Sequence, residues 1–470
     1  MSALLSRTLM ALAVGATPAA FAQSCGSGGG ATVCLSASGS GSAVQLSWTT
    51  NGTVSAVQVY RDTDSDVAGR TRIAQLAGSA SGYTDSGAVP GRAYWYWIKF
   101  TTGGGSFNSG VARAVRVGVM RNLASPQLAA TMAPGWNLGN ALEAIGGTYV
   151  WGSTNFNEAA WGNAPATQAL FNGIKAAGYK SVRIPVSWKQ YADANDNISP
   201  QWMTRVTEVV NYAHAAGLVA MINVHWDGGW LQPTYARQRE ANARLAKFWT
   251  QIANNFRNHD DTLLFAGTNE VMVDGDYNAP TVEYCDVQRG FNQLFVDTVR
   301  ASGGNNARRH LVVQGFNTNI DYANNCNATP PTDPVAGRLM MEVHYYDPYD
   351  FTLDANSGSW KWGQAANPGG WANESYTDAQ FQKMKQRFID KGIPVLLGEY
   401  AAMLRTEYDA AGTYRKYWDQ YITRSAFTHG LVPMYWDNGS LENHQSGLFN
   451  RATGALVYPD VSNAIVNAAK

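Results

Sequence analysis

Beyond residue 134 the chain alternates between two hydrophobic patterns. Near-continuous apolar runs occupy 135–138, 182–186, 218–224, 263–266, 311–313, 339–343, 395–397 and 431–435. Runs without a polar alternate suit strands that are covered on both faces, as in a parallel sheet. Between them lie stretches with helical spacing: Ala169, Leu170, Ile174 and Ala177 share one face, as do Phe381, Met384 and Phe388. Eight strand–helix units predict an α/β fold, an elaborated (β/α)8 TIM barrel. A doubly wound open sheet is the alternative, but it would carry a glycine-rich nucleotide turn after its first strand, and none is present.

Residues 32–119 have a different pattern. Short alternating runs such as Val44-Gln45-Leu46-Ser47-Trp48, Val57-Gln58-Val59-Tyr60 and Tyr94-Trp95-Tyr96-Trp97-Ile98 are separated by Gly, Asp and Ser clusters. That is the pattern of an all-β sandwich. Alternation places Trp95 and Trp97 on one face and Tyr94 and Tyr96 on the other, which favours a spacer over a polysaccharide-binding surface. The Gly- and Ser-rich residues 23–31 read as a flexible linker. Residues 1–22 read as a signal peptide, with Arg7, an apolar 9–14 stretch and the Ala20-Phe21-Ala22 cleavage site. A secreted protein, extracellular or periplasmic, is therefore expected. The barrel is expected over 120–470.

Acidic and basic residues balance at 35 each, so there is no basic excess to hold nucleic acid. No segment after the signal reaches the ~20 apolar residues needed to cross a membrane. A low charged fraction with 16 Trp and 23 Tyr suits a neutral, hydroxyl-rich ligand. Cys25, Cys34, Cys285 and Cys326 allow three disulfide pairings; Cys25–Cys34 and Cys285–Cys326 keep each bridge inside one domain, and the spacing fits no zinc site.

Active sites of TIM barrels lie at the C-terminal ends of the strands. There the runs end near Arg183 and Trp188, in His225-Trp226-Asp227, in Asn269-Glu270, in His344-Tyr345-Tyr346, in Glu399-Tyr400 and in Trp436-Asp437. A lone glutamate at a strand end more often makes a salt bridge, and His225 or Trp436 alone would more often be core. Two glutamates together with His225 and His344 form the set that glycoside hydrolysis needs: one carboxyl protonates the leaving oxygen, the other attacks the anomeric carbon or activates water. A metal-dependent hydrolase would show a His-x-His pair on an early strand, and none occurs. A non-catalytic polysaccharide-binding barrel would not need both glutamates.

Residues 134–450 resemble glycoside hydrolase family 5, the TIM-barrel cellulases. The resemblance rests on Gly135-Trp136-Asn137-Leu138-Gly139-Asn140, Val182-Arg183-Ile184-Pro185, Asn223-Val224-His225-Trp226, Thr268-Asn269-Glu270, Glu342-Val343-His344-Tyr345-Tyr346, Leu397-Gly398-Glu399-Tyr400 and Tyr435-Trp436-Asp437, in the family's order. Two positions depart from it: Val271 follows Glu270 where proline is usual, and Trp226 stands where a second histidine often does.

The resemblance implies a retaining endo-β-1,4-glucanase. Glu270 would be the acid/base and Glu399 the nucleophile. Asn269 would bond the sugar 2-hydroxyl, Arg183 and Tyr346 would hold Glu399, His225 and His344 would line the subsite at the cut, and Trp436 would be its platform. Asn140, Trp151, Trp226 and Trp230 are candidate outer subsites, with Trp161, Trp360, Trp362 and Trp371 as further platforms. Xyloglucan, mixed-linkage glucan and β-mannan are the alternative substrates, no cofactor is needed, and a monomer is expected. The sandwich resembles a fibronectin type III module, with Trp48 in its core and Tyr94 as a tyrosine corner.

Overall fold

A computed structural model describes residues 23–41 and 43–470. The signal segment, 1–22, lies outside the described residues. The chain divides into two units, one ending at Ala88 and resuming over Arg92–Arg116, the other comprising Val89–Gly91 and Val117–Lys470. The second unit starts just ahead of residue 120 because Gly118 is already tied into it: its N–H donates to the Asn258 carbonyl and its own carbonyl accepts from Asn305.

The first unit holds β1 (Ser24–Gly28), β2 (Ala31–Gly39), β3 (Val44–Asn51), β4 (Ala56–Asp62), β5 (Thr71–Ala77), β6 (Gly82–Asp85), β7 (Ala93–Thr102), β8 (Gly105–Asn108) and β9 (Ala112–Val115). One sheet runs β1-β2-β3-β6; the other runs β5-β4-β7-β8, with β9 also on β7. Alternate residues from both sheets, including Val33, Leu35, Trp48, Val57, Tyr96 and Ile98, form one core. Tyr94, Tyr96, Ile98 and Phe100 of β7 face inward. Trp97, on the other face, is covered by Arg70, which also stacks on Tyr60.

The expected linker at 23–31 is not a linker. Its residues form β1, antiparallel to β2, with Cys25 opposite Cys34 and bonded to it. Small residues read as flexible in isolation, but here the ladder and the disulfide hold them. Gly29 and Gly30 make the hairpin turn with positive φ.

The second unit contains α1 (Ser125–Ala129), β10 (Gly135–Leu138), α2 (Gln168–Ala177), β11 (Ser181–Ile184), α3 (Pro200–Ala215), β12 (Val219–Asn223), α4 (Tyr235–Phe256), β13 (Leu263–Ala266), α5 (Val282–Ala301), β14 (Leu311–Gln314), α6 (Ile320–Asn325), β15 (Leu339–His344), α7 (Tyr349–Thr352), α8 (Glu374–Arg387), β16 (Val395–Tyr400), α9 (Thr413–Thr428), β17 (Val432–Asp437) and α10 (Pro459–Ala468). The eight strands β10 to β17 pair in sequence and in parallel, and β17 closes on β10. The open-sheet alternative is thereby excluded.

Strand alternation explains the apolar runs. Outward residues such as Trp136, Val182, Ile222, Phe265, Val343 and Leu397 join the core beneath the helices. Inward residues Met221, Leu264, Val312, Met340, Leu396 and Met434 fill the barrel above Leu128 and Met132. Nearer the C-terminal ends of β10, β11, β12, β14 and β15 the inward positions turn polar: Asn137, Arg183, Asn223, Gln314 and Glu342 are all buried. The barrel is oily at its base and hydrogen-bonding at its top.

Cys285 and Cys326 are bonded, joining α5 to the residue after α6.

Candidate active site

Arg183 organises the rim. Its side chain is fully buried; both Nη atoms donate hydrogen bonds, while Nε meets a carboxylate as an ion pair without hydrogen-bond alignment. Nη1 donates to Glu399 Oε1 at 2.8 Å and to Asn137 Oδ1 at 3.1 Å, and Nη2 donates to Asn269 Oδ1 at 2.5 Å. Nε is paired with Glu342 Oε1 at 2.7 Å. A planar fork with several fixed donors can do this; a lysine cannot.

Glu399 lies near the end of β16 and is 5% exposed. A register shift between β15 and β16 places it opposite His344, the usual work of a bulge beside a site. Tyr346 donates its hydroxyl to Glu399 Oε2 at 3.0 Å. Burial pushes the Glu399 carboxyl up from its ordinary range, while His344 and Arg183 pull against that shift. Burial and the Glu399 and Glu270 charges push Tyr346 well up, so it remains a donor.

Glu270 follows β13 and is the open member, with its side chain 40% exposed. The Val271 N–H donates to the Asn269 carbonyl at 3.0 Å, a γ-turn centred on Glu270. Proline, usual at this position in the family that the sequence resembles, has no N–H for that bond; Val271 makes the turn another way.

His344 connects the two glutamates. Its Nδ1 is 2.6 Å from Glu270 Oε1 and 3.7 Å from Glu399 Oε2; its Nε2 is 3.3 Å from Glu342 Oε1. Burial alone would lower its pKa, but the Glu399 charge and the hydrogen bonds to Glu270 and Glu342 raise it to about 9. One atom each of Glu270, His344 and Glu399 lie within 4.8 Å of one another.

On the far side, Asn223 Nδ2 is 3.2 Å from His225 Nδ1. Burial, reinforced by the Arg183 and His344 charges, pushes His225 well down, so the ring is neutral. With Nδ1 accepting from Asn223, its Nε2–H is left for a ligand. The Trp436 ring lies parallel to it, with centroids 5.9 Å apart. Gly139 backs this platform: a Cβ there would sit 2.8 Å from the Trp436 ring.

The structure thus brings together Arg183, His225, Asn269, Glu270, His344, Tyr346, Glu399 and Trp436. Two cavities flank Glu270. One, about 260 Å³, is lined by His225, Trp226, Gln232, Asn269 and Tyr277; the other, about 420 Å³, by Asn317, Tyr346, Asp347, Tyr376 and again Tyr277. Trp226 is exposed and lines the first of these cavities.

The other outer candidates fare differently. Asn140 sits in a left-handed turn, with its carbonyl accepting from Asn163. Trp151 is exposed and Trp161 donates to the Ile145 carbonyl; neither lines those two cavities. Trp230 is no open platform: Nε1 donates to Asp227, Phe248 meets its ring edge-on and Arg244 covers a face. Trp362 is buried core, bonded to the Ala372 carbonyl. Trp360 stacks on Tyr408, and exposed Trp371 meets Tyr376.

Sequence reasoning assigned no role to Glu342, Gln314 or Tyr277. Glu342 was detectable: a lone carboxylate two residues before His344 in an apolar run points into the barrel. Tyr277 carried no signal, because its place depends on how its loop folds.

The family model described as Cellulase (glycosyl hydrolase family 5) matches residues 144–442. Endoglucanase A of Paenibacillus barcinonensis is 39% identical over 74% of this chain and 90% of its own. A xyloglucan-specific endo-beta-1,4-glucanase of Bacteroides ovatus is 43% identical over 71% of this chain and 68% of its own. Among solved structures, the Bacteroides ovatus GH5 xyloglucanase in complex with a XXXG heptasaccharide aligns over 93% of this chain and 99% of its own, with a TM-score of 0.69 and 32% identity.

Proposed function

This chain belongs to glycosyl hydrolase family 5, and on that premise we propose that it hydrolyses β-1,4-glucans internally, with retention, through Glu270 and Glu399. The approach of those two carboxyls, with atoms within 4.8 Å, carries the reading. Retention needs a separation of roughly 5 Å; inversion needs about 6.5–9.5 Å to admit a water. Glu270 gives its proton to the glycosidic oxygen as Glu399 bonds the anomeric carbon. Glu270 then takes a proton from the water that releases the sugar. Asn269 offers its amide to the 2-hydroxyl, and Trp436 supports the ring. Glu399→Gln is expected to abolish hydrolysis of carboxymethylcellulose while sparing binding; surviving turnover would remove Glu399 from the role of nucleophile.

Xyloglucan is the second reading of the substrate. Relatives act on it, and the two cavities beside Glu270 offer room for a main chain and a branch. Product release from xyloglucan, barley glucan, carboxymethylcellulose and mannan ranks these, and predominant mannan cleavage would sink both.

The N-terminal unit reads as a fibronectin type III-like spacer, supported by its paired sheets and by Trp48 in its core. The same reading makes the protein a monomer and an exported one, and for export the disulfides argue. Removing the residues before Arg121 should leave soluble activity and binding to insoluble glucan in place; loss of binding alone would make the unit a binding module.

A further inference from the structure

We infer that Glu342 is a positioning residue of this site: it grips His344 by Nε2 and Arg183 by Nε, committing the His344 Nδ1–H to Glu270 and the Arg183 fork to Glu399 and Asn269. The inference rests on the roles of Glu270 and Glu399 given above.

Glu342 has no solvent exposure. Its Oε1 lies 2.7 Å from Arg183 Nε and 3.3 Å from His344 Nε2, and its Oε2 accepts from Gln314 Nε2 at 2.7 Å. Gly398, next to Glu399, makes room for it: a Cβ there would stand 2.2 Å from Glu342 Oε1. The carboxylate is walled in by donors, and burial is outweighed by Arg183, His344 and Gln314, which hold it at about 2. It touches neither cavity beside Glu270.

Charge balance gives it a task. The groups facing His344 are Glu270 from the loop after β13, Glu399 from β16, Glu342 on its own strand and neutral His225 from the loop after β12; Arg183 from β11 and Tyr346 join the cluster through their bonds to Glu399. Before reaction Glu270 holds a proton, and the anions Glu342 and Glu399 balance Arg183 and His344. When Glu270 protonates the leaving oxygen and Glu399 becomes a glycosyl ester, the anions are Glu342 and Glu270, and the balance is unchanged. Without Glu342 both states carry an excess cation, and His344 sheds its proton. Its bare Nδ1 then competes for the Glu270 proton instead of donating to the carboxylate.

The test is Glu342→Gln, which keeps the shape and removes the charge. On soluble β-glucan, kcat/KM should fall about tenfold or more, the loss of one charged hydrogen bond. The alkaline limb of the rate profile should move down by about one pH unit, and the His344 ring should titrate lower by NMR. Glu342→Asp should return the limb toward its original position. The unaltered enzyme gives a check independent of any variant's folding: both His344 nitrogens should carry protons at pH 7. A Glu342→Gln enzyme with an unchanged profile and unchanged His344 titration overturns the inference, as does a neutral His344 in the unaltered enzyme at pH 7. Glu399→Gln run alongside separates the cases: if it stays active the catalytic reading fails, and if it is dead while Glu342→Gln behaves as the parent, only the role of Glu342 falls.

Discussion

Arg183 Nη2 donates to Asn269 Oδ1 across 2.5 Å, and that bond decides which end of the Asn269 amide faces the cleft. With the carbonyl occupied, the NH2 group is left to meet a sugar hydroxyl. Arg183→Lys keeps the charge but cannot serve Asn269, Glu399 and Glu342 together. Steady-state kinetics should show kcat/KM lowered by about 100-fold, the cost of one or more charge-assisted bonds. A loss below threefold would mean the fork is dispensable.

Tyr346 gives Glu399 its other donor. Tyr346→Phe should lower kcat by about 10- to 100-fold, as expected for losing a hydrogen bond to a charged group, with little change in KM or in melting temperature. A rise in KM at unchanged kcat would place the hydroxyl on the substrate instead.

His344 links stability to pH. Its folded pKa is raised to about 9 from an ordinary 6.5, so its charge stabilises the fold fully below pH 6.5. That contribution fades as pH rises through 9. The difference in melting temperature between the parent and His344→Gln should therefore be largest at or below pH 6.5 and shrink toward pH 9. A difference that grew with pH would contradict the sign.

Gly398→Ala forces a methyl into the Glu342 carboxylate. Overpacking of this kind costs about 1–3 kcal/mol. Urea unfolding should show that loss, and kcat/KM should fall with it because Glu399 is the next residue. Unaltered activity would mean that Glu342 can move without consequence.

The Cys285–Cys326 bridge spans 41 residues. Replacing both with serine should cost about 2–4 kcal/mol of stability, as for other native disulfides, while kcat at 25 °C stays close to the parent value. A large fall in kcat at that temperature would tie the bridge to the cleft.

Much of this architecture was legible along the chain. All eight barrel strands stood out because a strand buried on both faces must be apolar throughout, and Glu270 and Glu399 stood out because each ends such a run. The β1 hairpin was illegible: Ser24 to Gly30 has no side-chain pattern, and only pairing with β2 and the Cys25–Cys34 bond order it. Trp230 and Trp362 looked like platforms because composition cannot distinguish a tryptophan facing a cleft from one facing a wall.

The sequence by itself determined the barrel, the residues at its rim and the chemistry those residue types allow, because periodicity and strand ends are local properties. Only the tertiary structure decided that Glu342 stands behind His344 and Arg183, that Gly398 vacates the space for it, and that Tyr277 stands between two cavities. Those relations join residues from different strands and loops, and they follow from how the closed barrel sets its register, which no local pattern encodes.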